Sequence, residues 1–189
     1  PATCSTSCTV NNCPLPDLIT NHQDITIAGA LTTGTALRFT STVKNQGSGS
    51  AAPNSIGRWC IDGTETQCAG ASTPSTQLNT HDFGAFDPGM ISLSRTSNGW
   101  TATAGSHTIW WCADVTNVVN NESNENNNCH SKPFTITAAP QPDLVTNHQE
   151  IAINGTLTAG TNLTFTSTVK NQGSGSAVSA DQQCLPAGV

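Results

Sequence analysis

The chain has 189 residues, room for one domain and part of a second, and only 10% of them are charged. With 6 Lys+Arg and a net charge of −6, it would repel a phosphate backbone rather than grip it, which argues against nucleic-acid binding. No apolar run approaches the ~18–20 residues of a membrane span.

Polarity comes from Ser, Thr, Asn, Gln and Gly, with no Tyr. Such a surface offers trypsin-like proteases few sites and suits an extracellular protein. Eight cysteines without a CxxC pair point to disulfides and an oxidising compartment. No charged n-region precedes an apolar h-region, so any signal peptide is read as already removed.

In chain order, residues 8–18, "CTVNNCPLPDL", align with residues 134–144, "FTITAAPQPDL". Residues 1–13 therefore read as a Cys-rich segment resembling the closing strand of a preceding repeat. In "TALRFTSTVKN", Leu37, Phe39, Ser41 and Val43 point one way and Arg38, Thr40, Thr42 and Lys44 the other, the period of a half-buried strand. "IGRWCIDG" is a strand running into an Asp62-Gly63 turn. "HTIWWCADV" places Ile109, Trp111, Ala113 and Val115 on one face, and "PFTIT" is a further strand. No segment carries an i, i+3, i+4 apolar stripe. About seven short strands between Gly, Pro, Asn and Asp punctuation predict an all-β antiparallel sandwich.

Residues 16–51 recur at 142–177, a shift of 126, with 28 of 36 positions identical. That period is too long for a solenoid turn and is the size of a whole β-domain. The expected organisation is a complete sandwich over 14–139 and the opening strands of a second, incomplete repeat over 140–189, in tandem repeats of about 126 residues. The Pro-rich linker 138–142 is semi-rigid. Leu157, Leu163, Phe165 and Val169 would lack a sheet to pack on, and an isolated hairpin is marginal in water. Either the missing strands follow in one polypeptide or another chain supplies them by strand addition.

The run from Pro16-Asp17-Leu18 through Lys44-Asn45-Gln46-Gly47-Ser48-Gly49, Asp87-Pro88-Gly89, Ala104-Gly105-Ser106-His107 and the Glu122 to Asn127 stretch resembles the CARDB domain, a bacterial cell-adhesion-related Ig-like module. The resemblance covers about 16–137 and restarts at 142. It implies a seven-stranded sandwich in tandem arrays on secreted or surface proteins, and no catalytic residues. This chain departs from the pattern in its cysteines and its Trp110-Trp111 pair.

Among the cysteines, a hairpin centred on Thr64 would set Cys60 across from Cys68. One centred between Asn120 and Asn121 would set Cys112 across from Cys129. Cys60–Cys112 is the rival pairing. Cys4, Cys8, Cys13 and Cys184 are candidates for inter-repeat or inter-chain bridges, the alternative being pairing among the first three. Zinc at Cys4, Cys8 and Cys13 would match no common spacing.

"ADVTNVVNNESNENNN" gathers Asp114, Glu122 and Glu125 among Asn carbonyls, residue types that suit calcium. The alternative is a long turn whose side chains satisfy backbone amides. Asn121, Asn154 and Asn162 head glycosylation sequons. His22 and His148 sit among Asn and Gln and read as turn residues, and His107 as structural. Trp59, Trp100, Trp110 and Trp111 are either core or a sugar-stacking platform.

No catalytic constellation stands out and no cofactor other than calcium is suggested. The function read from the sequence is a non-enzymatic extracellular structural or adhesive repeat that forms or decorates a surface filament. Its partners would be copies of itself and, through the tryptophans, surface glycans. The alternative is a carbohydrate- or ligand-binding module of a secreted enzyme.

Overall fold

A computed structural model describes residues 13–70, 72–147 and 149–177. The chain divides into two compact units, Pro1–Ala138 and Ala139–Val189. Cys4, Cys8, Cys184 and His148 lie outside the described residues.

Unit 1 is a β-sandwich. One layer is an antiparallel sheet of β10 (Cys129–Ile136), β9 (Gly105–Cys112), β5 (Ile56–Ile61) and β6 (Gln77–Asp82), in that order. The other places β2 (Thr26–Ala28) and β7 (Arg95–Thr96) on either side of β3 (Ala36–Ser41), with β8 (Trp100–Thr101) also pairing β3. β1 (Leu18–Ile19) pairs with β4 (Lys44–Asn45). β7 and β8 are one edge interrupted at Ser97, whose Oγ accepts from the Phe39 amide at 3.0 Å in place of a ladder bond. With β1–β2, β3–β4 and β7–β8 each read as one broken course, the unit has about seven strands, as the punctuation predicts.

The core sits where the alternation places it. Leu37, Phe39, Ser41 and Val43 are all fully buried. From the opposite layer Trp59 stacks on Trp111 at 4.5 Å, and Phe134 meets Phe39 at 5.5 Å. Aromatic burial of this size dominates the stability of a small sandwich.

The next residue in that inward series is polar. Asn45 is fully buried, and its side chain replaces missing backbone partners. Oδ1 accepts from the amides of Asp17 and Gly47, each at 3.0 Å. Nδ2 donates to the carbonyls of Gly49 at 2.8 Å and Phe86 at 3.0 Å. Gly47 makes the close approach possible, since a Cβ there would lie 2.4 Å from the Leu15 carbonyl oxygen.

Two sequence expectations change. β5 does run into Asp62, which is in the left-handed region (φ 56°), but the chain does not turn straight back. It forms the short helix α1 (Glu65–Ala69) and reaches β6 only at Gln77. The reason is a capping box: Thr64 Oγ1 accepts from the Gln67 amide at 3.2 Å, and Gln67 Oε1 accepts from the Thr64 amide at 2.9 Å. Val115, expected on the Trp111 face, instead joins a second apolar cluster. Asp114 at φ 44° breaks the strand period just before it.

Unit 2 contains β11 (Leu144–Val145), β12 (Ala152–Asn154), β13 (Thr164–Thr166) and β14 (Lys170–Asn171), paired β11–β14 and β12–β13. Its registers repeat those of unit 1: Leu144 faces Asn171 as Leu18 faces Asn45, and Ile153 faces Phe165 as Ile27 faces Phe39.

Candidate functional site

The features that set this chain apart from a plain sandwich gather on the outer face of the four-stranded sheet. Trp111 and Ile109 point inward, so their neighbours Trp110 and Cys112 point out. The register places Arg58 beside Cys112, Cys60 beside Trp110 and Cys129 beside Cys112. Two disulfides form here: Cys60–Cys68, with Cα atoms 5.9 Å apart, and Cys112–Cys129, 4.1 Å apart. The second is the cross-strand pair of the β9–β10 ladder. In the first, Cys68 reaches Cys60 from α1, not from across a hairpin. Cys13 is half-buried.

Arg58 holds the helix to the sheet. It is 4% exposed, and its Nη1 donates to the carbonyls of Cys68 at 3.0 Å, Gly70 at 2.6 Å and Ser72 at 3.1 Å. These oxygens lie in and just after the last turn of α1, where a cation meets the negative end of the peptide dipoles. Burial lowers the Arg58 pKa below its ordinary value. Sequence reasoning missed both this arginine and the helix, although Thr64 and Gln67 carry the capping signature.

Beside the disulfides lies an open cleft of about 390 Å³, bordered by Glu65, Gly70, Asp114, Asn117, Glu125 and Asn128 among others. The acidic loop forms part of its wall, and each of the three carboxylates has a backbone partner. Asp114 accepts from the amides of Val118 at 3.1 Å and Val119 at 2.8 Å. Glu122 accepts from the Leu18 amide, and from Asn128 Nδ2 at 3.2 Å. Glu125 accepts from the Glu122 amide at 3.2 Å. Asp17 accepts from Ser123 Oγ at 3.1 Å and from Asn127 Nδ2 at 2.8 Å. The loop thus fastens to β1 and the residue before it, through Leu18 and Asp17. Among the described residues no group of three or more His, Cys, Asp or Glu could hold a metal ion.

Glu122 is the most perturbed of these acids. Burial raises its pKa from 4.5 to about 7, against the pull of the Leu18 amide. Burial also raises that of Asp114. A folded-state pKa above the unfolded one means the native chain holds a proton that the unfolded chain has released. Stability therefore falls as pH rises from about 4.5 to about 7 and levels above that. The expected loss across this window is about 3 kcal/mol. Glu122→Gln should flatten the slope, as urea unfolding at pH 5 and pH 7.5 would read. An unchanged slope would assign the effect elsewhere.

His107 adds to the same trend. Burial alone would lower its pKa, but the hydrogen bond to Asp62, the Thr103 carbonyl and the Asp62 charge outweigh it and raise it. A raised histidine contributes stability below its ordinary value that is lost as pH rises through the folded one. Its geometry has the outline of a relay: Nδ1 lies 2.7 Å from Asp62 Oδ2, and Nε2 lies 3.5 Å from Thr103 Oγ1. Nε2, however, is 2.8 Å from the Thr103 carbonyl oxygen and must carry a hydrogen there. The protonated ring thus donates to protein oxygens from both nitrogens, and it fastens Asp62 to the segment ahead of β9. His22 meets Thr42 Oγ1 at 2.7 Å, a contact between segments rather than a bond within its own turn.

None of the four tryptophans is exposed. Trp59 and Trp111 are core, Trp100 packs on His107 and Phe134, and Trp110 covers the disulfide cluster. The core reading holds for Trp59 and Trp111, while Trp100 and Trp110 are half-buried. The sequon residues Asn121, Asn154 and Asn162 are all exposed.

Unit 1 is thus a disulfide-reinforced β-sandwich whose polar residues brace its own loops. The CARDB family model matches residues 15–132, and the chain belongs to that cell-adhesion-related family. Among solved structures, it is similar to the CARDB domain of a Pyrococcus furiosus protein, crystallised in complex with di-metal ions. That match has 22% identity over 68% of this chain and 99% of that one, with a TM-score of 0.49. A solution structure of the same domain gives 23%, 66%, 98% and 0.48. A domain of a Methanosarcina acetivorans protein described as a cell surface protein gives 23%, 65%, 92% and 0.46. No curated protein matches the chain in sequence. Among the described residues no helix is long and apolar enough to cross a membrane.

Proposed function

We propose that the chain is a non-enzymatic extracellular repeat module that forms or decorates a surface filament, with copies of itself as partners through strand and disulfide contacts. The observation that carries this reading is the recurrence of residues 16–51 at 142–177 in sequence and in register. The two disulfides suit an oxidising exterior. The polar networks of unit 1 brace loops and strand ends rather than surround a reactive group. Cys4, Cys8 and Cys184 are the candidates for covalent joints between copies.

Denaturing electrophoresis of native material, with and without reductant, tests this. A large species in both lanes is the result for one long repeat polypeptide. A ladder collapsing to 19.5 kDa on reduction is the result for disulfide-joined subunits. A single 19.5 kDa band in both lanes would contradict covalent assembly.

A further inference from the structure

We infer that the face of unit 2 carrying Leu144, Ile151, Ile153, Phe165 and Val169 is a docking surface, and that its occupant is a second copy of the strand set that residues 52–138 lay over unit 1. The inference deepens the repeat reading above by naming what the unpaired hairpins receive.

Unit 1 is the internal template. Leu18, Ile25, Phe39 and Val43 are each 0% exposed there, covered by the strands that follow residue 51. Their counterparts Leu144, Ile151, Phe165 and Val169 are 57–67% exposed. Hairpins that leave such a face open do not arise from local propensity alone.

The eight differences between the two copies are distributed by burial. Positions 24, 26, 28, 30, 33, 36 and 38 differ, and all are exposed in unit 1. Only Ile19, replaced by Val145, differs among the buried set, by one methylene. Leu18, Ile25, Leu37, Phe39, Ser41, Val43 and Asn45 are retained as Leu144, Ile151, Leu163, Phe165, Ser167, Val169 and Asn171. The surface has drifted while the core-facing set has not, so the same complement still fits it.

Hydrogen bonding points the same way independently. Asn171 repeats three of the four bonds of Asn45. Oδ1 accepts from the amides of Asp143 and Gly173, each at 3.0 Å, and Nδ2 donates to the Gly175 carbonyl at 2.7 Å. The fourth bond of Asn45 goes to the Phe86 carbonyl, in the segment that unit 2 does not contain. The Asn45 backbone likewise donates to the Met90 carbonyl at 3.0 Å and accepts from the Gly89 amide at 2.8 Å. The occupant therefore presents an Asp-Pro-Gly turn equivalent to residues 87–89 against Asn171, and a Trp-bearing sheet against Phe165.

The test compares the 189-residue chain with one in which residues 52–138 are repeated immediately after Ala177. Amide exchange of Thr164–Thr166 and Lys170–Asn171 is expected to slow by about a hundredfold or more, with their resonances moving toward those of Ala36–Ser41 and Lys44–Asn45. Phe165→Asp in the extended chain should abolish that protection and leave unit 1 unchanged. Equal exchange rates with and without the added segment would overturn the inference. So would concentration-dependent self-association of the 189-residue chain that protects the same amides, because the occupant would then be another pair of hairpins. Docking in a protein that proves to be absent from the cell surface would uphold this inference and overturn the proposed function.

Discussion

Trp111→Ala is expected to destabilise unit 1 by about 4 kcal/mol, read as a lowered urea midpoint. The indole is fully buried and joins both layers. It stacks on Trp59 at 4.5 Å, meets Phe83 edge-on at 6.1 Å, and donates from Nε1 to the Thr42 carbonyl at 3.2 Å. It also occupies the space above Gly57, where a Cβ would lie 2.6 Å from its ring. Truncation opens a cavity that the disulfide-tied strands β5 and β9 cannot close. Trp111→Phe should cost about half as much, since it keeps most of the contact and leaves the Thr42 carbonyl without its donor. A loss below about 1 kcal/mol for the alanine variant would mean that the two layers are held by other contacts.

Asn45→Leu should cost about 3 kcal/mol, although the substitution puts an apolar side chain into a buried site. It removes the partner of the Asp17 and Gly47 amides and of the Gly49 carbonyl, while the Phe86 carbonyl keeps the Ala51 amide at 2.8 Å. The matching change in unit 2, Asn171→Leu, should move the unit 1 transition by less than about 0.5 kcal/mol. The pair is an internal control: one chemical change at two copies of one motif, one covered and one open. Equal effects on unit 1 from both would contradict the structural account of the motif.

The strand series from Leu37 to Val43 is legible in the sequence because side-chain direction follows from a period of two, and burial of one face sorts it. Asn45 is legible in direction as the next member. Its role is not, because a polar residue at an inward position has meaning only once its four partners are placed. The period also carries Ile109, Trp111 and Ala113 inward and then fails at Val115, where the positive φ of Asp114 intervenes. Val115 follows the outward cluster instead.

The outer face of the four-stranded sheet is harder to read. A strand with Arg58 and Cys60 on one side looks half-buried with that side in water. Here α1 and two disulfides cover it. The acidic loop shows the same degeneracy in another form. Asp, Glu and Asn suit a cation and a backbone cap equally well, and the sequence does not show that Asp114, Glu122 and Glu125 each accept from a backbone amide.

The central claim is that this CARDB module works outside the cell as part of an extended surface object. The most direct measurement is electron microscopy of unpermeabilised source cells labelled with an antibody raised against the 189-residue chain. The account predicts label distributed along thread-like structures at the cell surface. Label confined to the cell interior, or seen only after permeabilisation, would contradict it.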